Sequence, residues 1–270
     1  MITIIIFLLS LLSTILFNCL VFKPFTYINI FISIGIFIGS IIALYIIYVL
    51  FIVIIALTIN KKKEYKKSSK FLQWLTANLS STILFITNTK VKVENIEKIP
   101  KNTRFLFVSN HKNAFDPICY NYILNGYDVG FISKKENFDL PIISNLVHRE
   151  FYLPLDRENA KEGMKTIIKA YKLCQDNVCS IGLYPEGTRN KTDKLLLEFK
   201  TGGFKIAQKS NIPIVVSVIK NKNKATPNPF KKSIIEIEIV DVIYPENFGT
   251  STHEIGDKVY NIMLEKLKNK

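Results

Sequence analysis

His111 and Asp116 are the side chains whose types and spacing are best suited to chemistry, because an imidazole beside a carboxylate can accept and release a proton. On a regular helix, a separation of five positions leaves side chains about 140° apart, and on a strand it puts them on opposite faces. The two groups can therefore cooperate only if the chain folds back between them. In the alternative interpretation, Asp116 only caps a helix and His111 only fills a turn.

The residues on either side of this pair predict such a turn. Residues 104–109 are typical of a buried strand, and Asp116-Pro117 is typical of a helix start, with Asp at the N-cap and Pro at the first helical position. We therefore expect His111 at the end of a strand, facing a carboxylate at the beginning of a helix.

Three cations that each follow an apolar run suggest a binding pocket. In residues 185–190, Gly187 lets the backbone turn sharply or approach a ligand, and Arg189 can hold a phosphate group through two hydrogen bonds. Lys134 and Arg157 also end apolar runs. At successive strand ends, the three cations are expected to converge on a pocket suited to a phosphate dianion. For residues 185–190 taken alone, the alternative is an exposed turn.

After residue 86, apolar runs rich in β-branched residues alternate with helical patterns. The predicted strands are residues 104–109, 129–133, 150–155, 178–184, 212–219 and 234–243. The predicted helices are near residues 117–125, 139–147, 158–175, 201–210 and 251–268. This alternation favours an α/β fold with a largely parallel or mixed central sheet flanked by helices. The Ile-Glu-Ile-Glu-Ile pattern within 234–243 predicts an edge strand with one face in water.

The N-terminal residues are apolar enough to enter a membrane. Residues 1–59 carry a single charge, Lys23, which together with Pro24 separates two long apolar runs. They predict a membrane-anchoring helical hairpin whose second helix is Ile36–Leu57, followed by a separate domain, 60–270. A cleaved signal peptide is less favoured because no positive charge precedes the first apolar run. The hairpin could also dip into one leaflet without crossing the bilayer.

Residues 61–70 contain six lysines directly after the second apolar run. By the positive-inside rule, this side of the membrane is the cytoplasm, and the lysines would attract anionic lipid head groups. The alternative is a solvated linker. Residues 71–86 have helical spacing and are expected to lie along the membrane or along the surface of the domain.

Charge and cysteine content limit the remaining function classes. Beyond residue 59 there are 35 basic and 22 acidic side chains, a net charge of +13, which suits an anionic partner. Nucleic acid is disfavoured because no binding motif accompanies this charge. The four cysteines have no CxxC spacing, so no disulfide or zinc site is expected. A metal-dependent hydrolase that uses His111, His148 and His253 is disfavoured because their spacing has no HExxH-like pattern.

Four segments occur in the order and approximate spacing of four motifs of a known family. They are Asn110-His111-x4-Asp116, the strand-ending Arg157, Tyr184-Pro185-Glu186-Gly187-Thr188-Arg189, and Asn211-Ile212-Pro213-Ile214-Val215. The chain thereby resembles the glycerolipid acyltransferases of the HxxxxD type, in particular those that acylate 1-acyl-sn-glycerol-3-phosphate. The resemblance covers about residues 90–245, so residues 60–270 would form the acyltransferase domain.

The resemblance implies a role for each matching residue. His111 would be the catalytic base and Asp116 its orienting partner. A second set of residues would bind the phosphorylated acceptor: Lys134, Arg157, Glu186, Gly187, Thr188 and Arg189.

The resemblance also implies an activity and its partners. The enzyme would transfer a fatty acyl group from acyl-CoA or acyl carrier protein to the sn-2 hydroxyl of lysophosphatidic acid, giving phosphatidic acid for phospholipid biosynthesis. The reaction would need no metal and no cofactor beyond this thioester. The lysines of residues 61–70 predict that it takes place on the cytoplasmic side of the cell membrane. One alternative acceptor is glycerol-3-phosphate or another lysophospholipid. A non-enzymatic alternative is a membrane-anchored lipid-binding protein with a dead site.

Overall fold

The computed structural model describes residues 2–22, 26–221 and 227–268. It divides into two compact units, Met1–Ile59 and Asn60–Lys270.

The first unit consists of helices α1 (Ile2–Val21) and α2 (Tyr27–Thr58), which pack against each other. The Ser33 hydroxyl donates a hydrogen bond to Asn18 Oδ1 at 2.7 Å. Both helices are long and apolar enough to cross a membrane. The second begins nine residues before the predicted Ile36, because a long apolar helix tolerates the glycines within it. The predicted break at Lys23-Pro24 lies outside the described residues.

The second unit is built on a seven-stranded sheet with the strand order β1-β7-β6-β2-β5-β3-β4. The strands are β1 (Thr89–Glu94), β2 (Leu106–Ser109), β3 (Val129–Lys134), β4 (Leu153–Leu155), β5 (Ser180–Leu183), β6 (Ile214–Asn221) and β7 (Ser233–Ile243). The helices are α3 (Lys70–Ile86), α4 (Asp116–Ile123), α5 (Ile143–Arg149), α6 (Ala160–Gln175), α7 (Lys205–Ser210) and α8 (Thr252–Lys268). The predicted α/β fold is confirmed, and α3 packs against α4 and β1 within the domain.

Every pairing in the sheet is parallel except that of β6 with β7. The carboxyl ends of β2, β5, β3 and β4 therefore lie next to one another along one edge of the sheet, which we call the carboxyl edge. In open sheets of this kind, ligands bind beyond that edge.

Strand β2 is fixed from both faces of the sheet. Leu106 and Val108 belong to the hydrophobic core on one face, and Phe105 and Phe107 belong to the core on the other. Successive residues of a strand point to opposite faces, and both faces of the sheet are covered here, so all four side chains are buried. The turn that follows β2 thus begins from a strand that is buried on both faces.

The prediction that residues 234–243 form an edge strand is wrong. Strand β7 lies between β6 and β1, and β1 was not predicted because its Thr-Lys-Val-Lys-Val-Glu sequence is unusually polar. These charges suit the exposed side of an edge strand, and Lys92 Nζ lies 3.7 Å from Glu236 Oε1 of β7. The predicted alternation of β7 itself is confirmed, with Ile235 and Ile237 buried and Glu236 partly exposed.

Two predicted element starts also need correction. The N-cap of α4 is Phe115, and Asp116 is the first helical residue. Strand β4 is limited to Leu153–Leu155, because α5 continues to Arg149 and Phe151 has a left-handed backbone with φ +60°. A residue in that conformation cannot continue a strand.

Candidate active site

The turn that carries His111 is attached to the neighbouring strand by Asn110. The side chain of Asn110 is fully buried, and its amide group pairs with both backbone groups of Ile219 in β6. Asn110 Nδ2 donates to the Ile219 carbonyl at 3.0 Å, and the Ile219 N–H donates to Asn110 Oδ1 at 2.8 Å. The chain therefore leaves the sheet at a fixed point, one residue before His111.

Asp116 closes this turn. Its Oδ2 atom lies 2.8 Å from His111 Nδ1 and also accepts hydrogen bonds of 2.8 Å from the backbone N–H groups of Lys112 and Asn113. This is the reversal of the chain that the spacing of the pair requires. Asp116 does not cap α4, whose N-cap position, Phe115, makes no side-chain capping bond.

The contact with Asp116 sets the tautomer of His111. An ionised carboxylate can only accept hydrogen bonds, so the proton of a neutral imidazole belongs on Nδ1. Nε2 then carries the free lone pair, and it has no hydrogen-bond partner among the described residues. The His111 side chain is 15% exposed, against 3% for Asp116. The pair thus keeps its carboxylate inside, while the imidazole remains partly accessible to solvent.

Tyr184, directly after β5, fixes the plane of the imidazole. The two rings stack with their centroids 4.2 Å apart and their planes 18° apart. The Tyr184 ring is also stacked against Phe131 of β3, with centroids 5.9 Å apart. Sequence reasoning assigned Tyr184 no role; the only signal available was its position immediately before Pro185.

Glu186 holds the backbone of His111. Its carboxylate is buried, with Oε1 accepting the His111 N–H at 2.7 Å and Oε2 accepting the Leu197 N–H at 2.8 Å. Burial raises the pKa of Glu186, and the two N–H groups oppose this shift. The Asn190 N–H donates to the His111 carbonyl at 2.7 Å. His111 is therefore held through both backbone groups, and both oxygens of Glu186 are engaged by backbone N–H groups.

The turn after β5 then reaches the surface. The Gly187 N–H donates to the Tyr184 carbonyl at 3.0 Å, and Gly187 has φ +68°, a conformation that favours glycine. Thr188 and Arg189 are exposed. Within the described part of the chain, the Arg189 guanidinium has no hydrogen-bond or ion-pair partner. It is therefore available to an anion.

Lys134 and Arg157, at the ends of β3 and β4, form a separate group. Lys134 Nζ lies 2.9 Å from Glu136 Oε1, and both side chains are more than half exposed. The hydrogen bond from Lys134 lowers the pKa of Glu136, and Arg157 adds a weaker attraction. Glu136 is thus attracted by both Lys134 and Arg157, whereas Arg189 lies in the turn after β5. All three cations follow strands that end at the carboxyl edge.

The three histidines lie in different surroundings. The ring of His148 contacts Tyr65, and exposed His253 lies 3.6 Å from Asp257. Among the described residues, no group of three or more His, Cys, Asp or Glu side chains is placed to hold a metal ion.

Residues 90–220 match the family model of the acyltransferases. They form an acyltransferase domain. This range contains the His111 turn, the Glu186 turn and the three cations.

Two curated relatives that match this chain are 1-acyl-sn-glycerol-3-phosphate acyltransferases. The chain is 26% identical over 192 residues to a chloroplast 1-acyl-sn-glycerol-3-phosphate acyltransferase of Brassica napus, a match covering 71% of this chain and 55% of the relative. It is 30% identical over 158 residues to the 1-acyl-sn-glycerol-3-phosphate acyltransferase of Haemophilus influenzae, covering 57% and 64%. The matched region thus spans less than two thirds of either relative.

A solved structure shows the same fold. The crystal structure of the 1-acyl-sn-glycerophosphate acyltransferase of Thermotoga maritima superposes with a TM-score of 0.65 at 19% identity, covering 82% of this chain and 88% of that protein.

Proposed function

We propose that this protein transfers a fatty acyl group from an acyl thioester to the sn-2 hydroxyl of 1-acyl-sn-glycerol-3-phosphate, giving phosphatidic acid. The observation that carries the proposal is the His111–Asp116 pair, fixed at the carboxyl edge of an acyltransferase domain with Nε2 free. The names of the relatives from Brassica napus and Haemophilus influenzae support the choice of acceptor.

In the proposed mechanism, His111 is the general base. Its Nε2 removes the proton of the acceptor hydroxyl while the oxygen attacks the thioester carbonyl. Asp116 holds the Nδ1 proton in place and stabilises the imidazolium that forms. The new C–O bond replaces the C–S bond, and the imidazolium returns the proton to the departing sulfur. Because a thiol has a pKa of about 8.5, the thiolate leaves without strong acid assistance. The thioester is a co-substrate, and the mechanism uses no metal or other cofactor.

The phosphate of the acceptor would bind to the cations of the carboxyl edge. Arg189 is the best placed, because it follows the strand next to that of His111 and its guanidinium is free. Lys134 and Arg157 lie further along the edge and would add longer-range attraction. Gly187 and Thr188 shape the turn that presents Arg189. In this assignment Glu186 acts on His111 and does not touch the acceptor.

The two apolar helices support a membrane location for this reaction, since acceptor, acyl chain and product are lipids. By the positive-inside rule, the lysines of residues 61–70 support a location of the acyltransferase domain on the cytoplasmic side of the cell membrane.

An acyl-transfer assay on the detergent-solubilised full chain tests the proposal. Radiolabelled lysophosphatidic acid is supplied with acyl-CoA and, separately, with acyl carrier protein thioester. Wild type should form phosphatidic acid, and His111→Ala should be at least about 100-fold slower. His253→Ala, which removes an exposed histidine, should retain the wild-type rate.

The outcomes separate the alternatives. The productive thioester identifies the donor. If only glycerol-3-phosphate or another lysophospholipid were acylated, that compound would replace 1-acyl-sn-glycerol-3-phosphate as the proposed acceptor. Inactivity with every acceptor and both donors would favour a lipid-binding protein with a dead site, and substantial activity of His111→Ala would refute the assignment of the base.

A further inference from the structure

The lysine-rich residues 61–70 are attached to helix α5 and do not form a loose linker. Tyr65 lies between cationic groups, with Arg149 Cζ 4.2 Å and Lys63 Nζ 5.6 Å from the centre of its ring. The His148 ring meets Tyr65 edge-on at 6.0 Å. Tyr65 is partly buried, so this contact joins the segment to the body of the domain.

Hydrogen bonds hold the segment on either side of Tyr65. Lys61 Nζ donates to Ser144 Oγ at 3.2 Å, and Arg149 Nη1 donates to the Lys67 carbonyl at 2.9 Å. Ser144 and Arg149 lie near the two ends of α5. The segment therefore runs along this helix in a defined position.

The charged groups of the segment face solvent. All six lysines between residues 61 and 70 are exposed, and Glu64 is the one acidic residue among them. An excess of positive charge concentrated on a fixed surface attracts an anionic surface.

Two apolar side chains are exposed beside these lysines. Leu140 is 47% exposed and Ile143 is 48% exposed, and Ile143 precedes the Ser144 that binds Lys61. Ile142 between them has φ +66°, which is unusual for a β-branched residue. The loop is thus held in a conformation that leaves apolar side chains in water.

We propose that these groups form one membrane-docking surface, the lysine platform, which consists of residues 61–70 together with Leu140, Ile143 and Arg149. Its partner is a bilayer surface rich in anionic lipid. The lysines contact the phosphate groups, and Leu140 and Ile143 enter the boundary between head groups and acyl chains. Cations beside exposed apolar side chains match the two layers that such an interface offers.

This docking places the carboxyl edge near the membrane. Lys134 ends β3, and five residues separate it from Leu140. A lipid acceptor would therefore travel only a short distance from the bilayer to the cations of the site. This membrane contact is made by the domain itself, in addition to the apolar helices.

The test measures fluorescence quenching by phosphatidylcholine brominated on its acyl chains, with the full-length protein reconstituted in vesicles. Trp74, the single tryptophan of the chain, is replaced by Phe, and one new tryptophan reports position. Leu140→Trp places the reporter on the platform. The matched control is Tyr244→Trp, because the Tyr244 side chain is similarly exposed, at 45%. Tyr244 follows β7, which runs antiparallel to β6 and therefore ends away from the carboxyl edge.

The reporter at Leu140 should be quenched about three-fold more than the reporter at Tyr244 when the vesicles contain anionic lipid. A platform variant with Lys61, Lys62 and Lys66 replaced by Gln should lose most of this difference. The charge-matched variant with Lys161, Lys169 and Lys172 of α6 replaced by Gln should retain it.

Equal quenching of the two reporters would overturn the proposal, as would a difference that the platform variant leaves unchanged. Ile143→Trp provides a second reporter if Leu140→Trp does not fold. Because quenching requires no acyl transfer, failure here is distinguishable from failure of the proposed function.

Discussion

The two halves of the candidate site, both on the carboxyl edge, are built differently. The half around His111 is enclosed: Asp116 and Glu186 are buried, and both backbone groups of His111 are hydrogen-bonded. The half that carries Lys134, Arg157 and Arg189 is exposed, and its side-chain ion pairs in the described part of the chain, Lys134–Glu136 and Lys135–Asp156, lie at the surface.

This difference follows from what each half has to do. A proton acceptor must be positioned to within a fraction of an ångström, so rigid hydrogen bonds contribute to rate. Cations that attract a phosphate group act over longer distances and tolerate motion. Changes in the enclosed half should therefore lower kcat, and changes in the exposed half should alter KM.

After removal of the base itself, the largest effect is expected from Asp116→Asn. The amide oxygen can still accept the N–H groups that close the turn, but the ionised partner of His111 is lost. We expect kcat to fall by about 10³-fold with little change in KM for the acceptor. Steady-state kinetics measures both quantities, and thermal unfolding checks the fold. A kcat within ten-fold of wild type would show that Asp116 only closes the turn.

Glu186→Gln tests whether the enclosed half of the site includes Glu186 in the turn after β5. The Gln amide nitrogen cannot accept a hydrogen bond, so either His111 or Leu197 loses its acceptor. We expect kcat to fall by about 10- to 100-fold because the imidazole is less well positioned, with KM for the acceptor nearly unchanged.

The control for this variant is Glu198→Gln, which removes an exposed carboxylate from the segment that follows Leu197. It should behave as wild type. If Glu186→Gln instead raised KM with kcat intact, Glu186 would bind the acceptor, as the family resemblance implied, and the division between the two halves would be misplaced.

Arg189→Ala tests the exposed half. Loss of a charged hydrogen-bond donor to phosphate should raise KM for the phosphorylated acceptor by about ten-fold and leave kcat nearly unchanged. Lys191→Ala removes an equal charge two residues further along, also from the surface, and should have a much smaller effect. Equal effects of the two variants would indicate general attraction by surface charge.

Local sequence was sufficient for the centre of the enclosed half. His111 and Asp116 are joined by a short turn between a recognisable strand and a recognisable helix, so their types, spacing and flanks carry the information. The α/β fold was predictable for a similar reason, since each strand and helix shows its own periodicity.

Contacts between distant segments were not predictable. Glu186 binds a backbone N–H 75 positions away, and a backbone group leaves no mark in the sequence. The same limit explains the error in the sheet: β7 was taken for an edge because its neighbour β1 alternates lysine with valine and was not recognised as a strand. Which strands pair in the sheet depends on the tertiary fold and cannot be deduced from the sequence of a single strand.

The smallest effect is expected from Glu136→Gln, which should improve binding. Glu136 is ionised between about pH 6 and 8, because this range lies above the ordinary pKa of a Glu and the hydrogen bond with Lys134 lowers the pKa of Glu136 further. It therefore competes with a phosphate for Lys134. Removing this charge should lower KM for the acceptor by about two-fold at low ionic strength, and added salt should abolish the difference.

Glu162→Gln is the matched control, because it removes an exposed carboxylate that pairs with Lys165 on α6 at 2.7 Å. The measurement is KM for the acceptor at low and high salt for both variants, and only Glu136→Gln should lower it. If Glu136→Gln raised KM, the carboxylate would be orienting Lys134 for the acceptor. The exposed half would then also depend on precisely positioned side chains. The two halves would differ only in how deeply their side chains are buried.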